Sequence, residues 1–110
     1  MGTSRSGEEA WTAGASVFSG RPEPTWQVPA DLGLELAQLW ERLLPWSGKQ
    51  PLVPPLGYRG CTLSAPGGRV WTAFHDLVTL RGEQRRDRPR AFQQRLLASA
   101  PPGVLPPLTL

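Results

Sequence analysis

Prolines cut this chain into short pieces. They gather at 22–29, 45–55 and 101–107, with Pro66 and Pro89 standing alone between the groups. A proline donates no amide hydrogen and holds φ at about −65°, so neither a regular helix nor a central strand runs through such a group. Whatever folds must therefore fit between the groups as short elements, with the prolines acting as punctuation and not as one low-complexity tract.

The stretch "ADLGLELAQLWERLL" between Pro29 and Pro45 has helical spacing. Leu32, Leu36, Leu39, Trp40, Leu43 and Leu44 fall on one broad face, while Glu35, Gln38, Glu41 and Arg42 lie largely away from it. Asp31 is placed to cap its start, and Pro45 stops it at or near Leu44. Ahead of it, "ASVFSG" predicts a short strand, and "RPEPTW" predicts a stiff connection whose Trp26 plugs an edge of the core.

Beyond the linker "SGKQPLVPP", two β-favouring runs, "LGYRGCTLSA" and "RVWTAFHDLVTL", flank Pro66-Gly67-Gly68 and predict a hairpin. Centring its turn on Gly67 pairs Leu63 with Trp71, Thr62 with Thr72, Cys61 with Ala73, Gly60 with Phe74, Arg59 with His75 and Tyr58 with Asp76. "RGEQRRDRPR" then reads as a polar loop. Asp87 and Pro89 start a second helix, "AFQQRLLASA", which carries Phe92, Leu96 and Leu97 inward.

A chain of 110 residues suits one domain. The expected fold is α+β: a small antiparallel sheet packed against two helices in the order β-α-β-β-α. A flexible N-terminus covers 1–13, the domain 14–100, and a Pro-rich tail 101–110 forms either a short edge strand or an extended arm. Large apolar side chains are expected on both faces of the second hairpin strand, with Trp71 and Leu77 on one and Phe74, Val78 and Leu80 on the other. Helices on one side then leave a face for the chain's own arms or for another protein to cover.

The single cysteine, Cys61, excludes an internal disulfide and a thiolate zinc site. It fits a reducing intracellular compartment, the cytoplasm first and the nucleus not excluded. No signal-peptide core and no membrane-spanning apolar run is visible. Gly2 and Ser6 fit the myristoylation pattern, although one acyl chain alone anchors only marginally.

Catalytic and cofactor chemistry finds no residue set. "SGRPEP" lacks the glycines and the immediately following helix of a phosphate loop, so Arg21 there suggests at most an anion or partner contact. Cys61 and His75 fall diagonally on one strand face, but mid-strand placement does not activate a thiol, and the reading is a packed cysteine. His75 is the only histidine and has no metal-ligand spacing around it. The acidic residues form no pair suited to hydrolysis. No cofactor or metal is expected.

Charge is the remaining signal. Arg81, Arg85, Arg86, Arg88, Arg90 and Arg95 stand against only Glu83 and Asp87, a local +4 that exceeds the +3 of the whole chain. Arg85, Arg86, Arg88 and Arg90, with Arg21, are the candidate anion or partner-binding residues, and Trp71 is the candidate exposed aromatic. Two functions follow. The first is a small domain that works by contact with another protein, through an under-covered sheet face or edge and the arginine segment. The alternative is a nucleic-acid-binding accessory domain using the segment Arg81–Arg95, which requires the arginines and an exposed aromatic on one surface.

Overall fold

In the computed structural model, residues 10–17, 22–54 and 57–106 are described. The strands are β1 (Trp11–Ala15), β2 (Thr25–Val28), β3 (Leu44–Pro45), β4 (Cys61–Ser64), β5 (Val70–Phe74), β6 (Leu77–Leu80) and β7 (Glu83–Arg86); the helices are α1 (Ala30–Arg42) and α2 (Ala91–Ala98). The seven strands form one antiparallel sheet in the order β2-β1-β4-β5-β6-β7-β3. The fold is the expected α+β sheet against two helices, with more strands than the sequence suggested.

The hairpin register is as expected from Cys61↔Ala73 through Thr62↔Thr72 to Leu63↔Trp71. The second run is not one strand, however. The chain reverses at His75–Asp76, with His75 at φ 54°, and again at Arg81–Gly82, with φ of 52° and 82°. Positive φ at both central residues is the geometry of a type I′ turn, whose twist matches antiparallel strands. The polar loop expected after Leu80 is therefore a turn followed by β7.

The reversal at His75–Asp76 settles where the large side chains go. Ala73 pairs with Val78 and Trp71 with Leu80, so these four share the helix-covered face, while Phe74 pairs with Leu77 on the other. The apolar set on the uncovered face is reduced to Phe74 and Leu77, both buried, with the Tyr58 and His75 rings 6.0 and 4.1 Å from that of Phe74. Alternation along β1, β2 and β4 puts Trp11, Ala13, Ala15, Trp26, Val28, Cys61 and Leu63 under the helices. The opposite face is rich in hydroxyls, with Thr12, Thr25, Thr62, Ser64, Thr72 and Thr79 in register across it.

Trp71, expected as an exposed aromatic, is instead fully buried. It stacks on Trp11 at 6.1 Å between centroids and meets Phe92 of α2 at 6.4 Å. Helix α1 buries Gly33, Leu36 and Trp40, and α2 buries Phe92, Gln93, Leu96 and Leu97. Leu44 departs from its expected place on the helix face. Helix α1 ends at Arg42, and Leu44 lies in β3 with its side chain 71% exposed.

Three further expectations are corrected. The first strand begins at Trp11 instead of Ala15, with Phe18–Gly20 of the expected strand outside the described residues; β2 forms where a connection was expected. Asp31 does not cap α1, whose N-cap is Pro29; its carboxylate accepts only the neighbouring Leu32 amide, at 2.9 Å. At the C-terminal side no strand forms over 101–106; Val104 N–H closes a turn onto Pro101 at 3.1 Å, and Val104 and Leu105 pack on the core.

Candidate functional site

The arginine segment does not make one basic face. Strand β7 alternates, so Arg85 points to the helix side and Arg86 to the other. Arg85 donates to the Trp40 carbonyl at 2.8 Å and to Glu83 at 2.7 Å, with its guanidinium carbon 4.4 Å from the centre of the Trp40 ring. That carbonyl lies in the last turn of α1, where backbone acceptors lack helical partners and cations are favoured. Arg86 stands over Trp46 at 5.6 Å and donates to the Ser47 carbonyl at 3.2 Å.

Arg90 donates to Asp76 at 2.9 Å, and Arg88 reaches the other oxygen of Asp76 at 3.7 Å while remaining two-thirds exposed. Arg95 pairs with Glu35 and so ties α2 to α1. Arg21 lies outside the described residues. Beside it, the Glu23 carboxylate accepts the Val17 amide at 2.8 Å and an Arg59 guanidinium hydrogen at 2.7 Å.

A buried polar cluster joins α2 to the β5–β6 turn. Asp87, expected as the N-cap, caps from further back: its two carboxylate oxygens accept the Phe92 and Gln93 amides at 3.1 and 3.2 Å, while Arg90 occupies the N-cap position. Asp87 also donates its own amide to the Asp76 carbonyl at 2.6 Å. Gln93, fully buried, donates to the His75 carbonyl at 3.2 Å and accepts from the Tyr58 hydroxyl. Burial raises the Asp87 carboxyl above its ordinary 3.8, outweighing the amides that favour the anion. Burial likewise raises the Tyr58 phenol, and it pushes the Cys61 thiol up to about 12.

Every member has a structural duty. Cys61 is 1% exposed and its thiol is held protonated, whereas reactive thiols are lowered and reachable. The expected diagonal approach of His75 to Cys61 does not occur, because His75 sits in the turn with its ring 4.1 Å from that of Phe74. Tyr58 and Arg59 likewise turn to Gln93 and Glu23 in place of the hairpin partners expected for them. Among the described residues no three His, Cys, Asp or Glu side chains are grouped to hold a metal ion, and no helix is long and apolar enough to cross a membrane.

What the fold brings together without a signal in the local sequence is the end of α1, the β3 edge and the segment after β7. Arg42, Leu43, Leu44, Arg86 and Arg88 line a small open groove of about 160 Å³. Further exposed apolar side chains, Leu52 at 91% and Val53 at 59%, follow in the segment leading away from β3, which is fastened to β7 by paired side-chain amides of Gln50 and Gln84 at 3.0 and 3.1 Å. A larger hollow of about 520 Å³ on the hydroxyl face, over Gly14 and between Thr12, Thr25, Gln27, Thr62 and Ser64, carries no charged side chain. No protein-family model matches the chain, and comparisons with curated proteins and with solved structures returned no match.

Proposed function

We propose that this protein is a non-catalytic interaction domain that docks another protein at the β3–β7 end of its sheet. The observation that carries the reading is the concentration of exposed apolar side chains there: Leu44, Leu52 and Val53 are three of the five large hydrophobics the described surface leaves out in water. Isolated exposed leucines are ordinary, but several beside a groove at a sheet edge are the composition of a contact surface. Arg86, preset over Trp46, adds the aromatic and arginine pairing in which interface hot spots are enriched.

The nucleic-acid alternative loses its exposed aromatic and part of its charge. Trp71 is in the core, and Arg85 and Arg90 spend their charge on Glu83, the Trp40 carbonyl and Asp76.

The test is site-specific photocrosslinking in cells that make the protein, with the photoreactive side chain at position 44 or, as the control on the hydroxyl face, at position 70. A discrete adduct from position 44 alone is expected, and its purified partner should bind the wild type and lose affinity for Leu44→Ser. Equal labelling from both positions, or no adduct from position 44, refutes the docking surface.

A further inference from the structure

We infer that the groove between α1 and β3 accepts an acidic peptide segment, an apolar side chain flanked by Asp or Glu. This rests on the docking surface proposed above and names the chemistry of its partner. The groove is lined by two aliphatic side chains, Leu43 and Leu44, and by three cationic ones, Arg42, Arg86 and Arg88. A volume of about 160 Å³ matches one leucine or phenylalanine side chain, since cavities of about 150 Å³ take up a benzene ring.

The three rim arginines differ in how far they are committed. Arg42, at the exposed last turn of α1, has no ion-pair partner among the described residues. Arg88 keeps two-thirds of its side chain in solvent and touches Asp76 only at 3.7 Å. Arg86 gives one guanidinium hydrogen bond to the Ser47 carbonyl at 3.2 Å, and its remaining donors stay open to an incoming carboxylate. Glu83 is turned to Arg85, and Asp76 holds Arg90 at 2.9 Å and Arg88 only at 3.7 Å, so the acids of the segment offset the rim in part and leave it cationic.

An acidic partner answers both features at once. Carboxylates take the guanidinium groups in forked pairs, and the apolar residue between them loses water against Leu43 and Leu44. A bare polyanion would meet the charges and leave the leucines wet.

The experiment is selection of a displayed random dodecapeptide library on the intact protein, followed by fluorescence anisotropy of the enriched peptides. Sequences combining Asp or Glu with Leu, Phe or Trp are expected. Their affinity should fall about tenfold or more in the double variant Arg42→Glu, Arg88→Glu, and again when the peptide acids become amides. Leu44→Ser, at an exposed position that leaves the charges in place, should weaken the same peptides, and circular dichroism of each variant checks that it is folded.

Neutral or basic winners, the absence of any winner, or binding indifferent to Arg42 and Arg88 overturns the inference. So does a short RNA that competes through the same arginines and outbinds every peptide. A crosslinked partner at position 44 combined with failed acidic peptides removes the inference while leaving the docking surface in place.

Discussion

Gly33 offers the sharpest test of the packing, because two well-measured effects oppose each other there. It lies inside α1 and is buried. In a helix, alanine is better than glycine by about 1 kcal/mol, so Gly33→Ala on an uncovered face would stabilise the protein. Here the added methyl would lie 2.2 Å from Cδ2, 2.5 Å from Cε3 and 2.7 Å from Cγ of Trp11. Carbon atoms pack at about 3.5–4.0 Å, so the Trp11 ring or the helix must move. The ring has little freedom to do so, being 5% exposed and stacked on Trp71, itself wedged against Phe92. Overpacking of this kind costs about 1–3 kcal/mol, and three ring atoms at such distances argue for the upper end. The net expectation is a loss of about 2 kcal/mol, seen as a lower urea midpoint by far-ultraviolet circular dichroism and a melting temperature lower by about 8 °C. In a Trp11→Ala background the three obstructing atoms are gone, and the same substitution should gain about 1 kcal/mol, a coupling of about 3 kcal/mol across the cycle. Stabilisation of the wild type by Gly33→Ala, or additivity of the two changes, would refute the placement of Trp11 against α1.

Trp40, 2% exposed, should cost about 3–5 kcal/mol on replacement by alanine in the same urea assay, and a loss below about 1 kcal/mol would show that this helix face is not in the core. Asp87 binds its proton more tightly when folded than its ordinary 3.8, so its contribution to stability is complete below that value and is lost as pH rises through the folded one. The urea midpoint of the wild type should therefore fall relative to Asp87→Asn between pH 3.8 and neutrality, and a difference constant with pH would contradict the direction of the shift. Cys61, raised from an ordinary 9.0 to about 12, should hold about a thousandfold less thiolate than a free cysteine at pH 8 and react with an aromatic disulfide reagent only as fast as the protein opens; stoichiometric labelling of the folded protein at the unfolded rate would refute its burial. At the β6–β7 turn, Arg81 at φ 52° sits where asparagine is better tolerated, so Arg81→Asn should raise stability by about 0.5–1 kcal/mol, and an unchanged or lower urea midpoint would contradict the type I′ assignment.

The sequence was legible where turn chemistry and side-chain periodicity agreed. Pro66-Gly67-Gly68 fixes the β4–β5 reversal, and from it the pairing of Leu63 with Trp71 follows. The reversal at His75–Asp76 was not legible, because neither residue is glycine or proline and the residues on both sides favour strand; only tertiary pairing distinguishes two strands from one there. Strand β7 has no apolar alternation to betray it. Its inward residue Arg85 is accommodated by a ring and a carbonyl from α1, far away in sequence. In α1 the spacing of the leucines marks the buried face, while nothing in the local sequence marks Gly33, on whose missing side chain the close approach of Trp11 depends.

The arginine segment shows why a charge count reads a surface poorly. Six arginines in a short stretch suggest a field that attracts polyanions, but a strand sends neighbours to opposite faces and a turn sends them to different partners. Arg85 completes the end of α1, and Arg90 fastens the start of α2 to Asp76. Arg95 joins the two helices through Glu35. These three residues act as internal cross-links, each stabilised by an acceptor or acid that the sequence places tens of positions away or on the far side of a turn. The charge the cross-links do not use is that of Arg81, most of Arg88 and part of Arg86, and of these only Arg86 and Arg88 have the end of α1 beside them, with Arg42, Leu43 and Leu44. The acidic segment proposed for this groove would meet two chain regions more than forty residues apart, a juxtaposition that the arginine segment does not carry by itself.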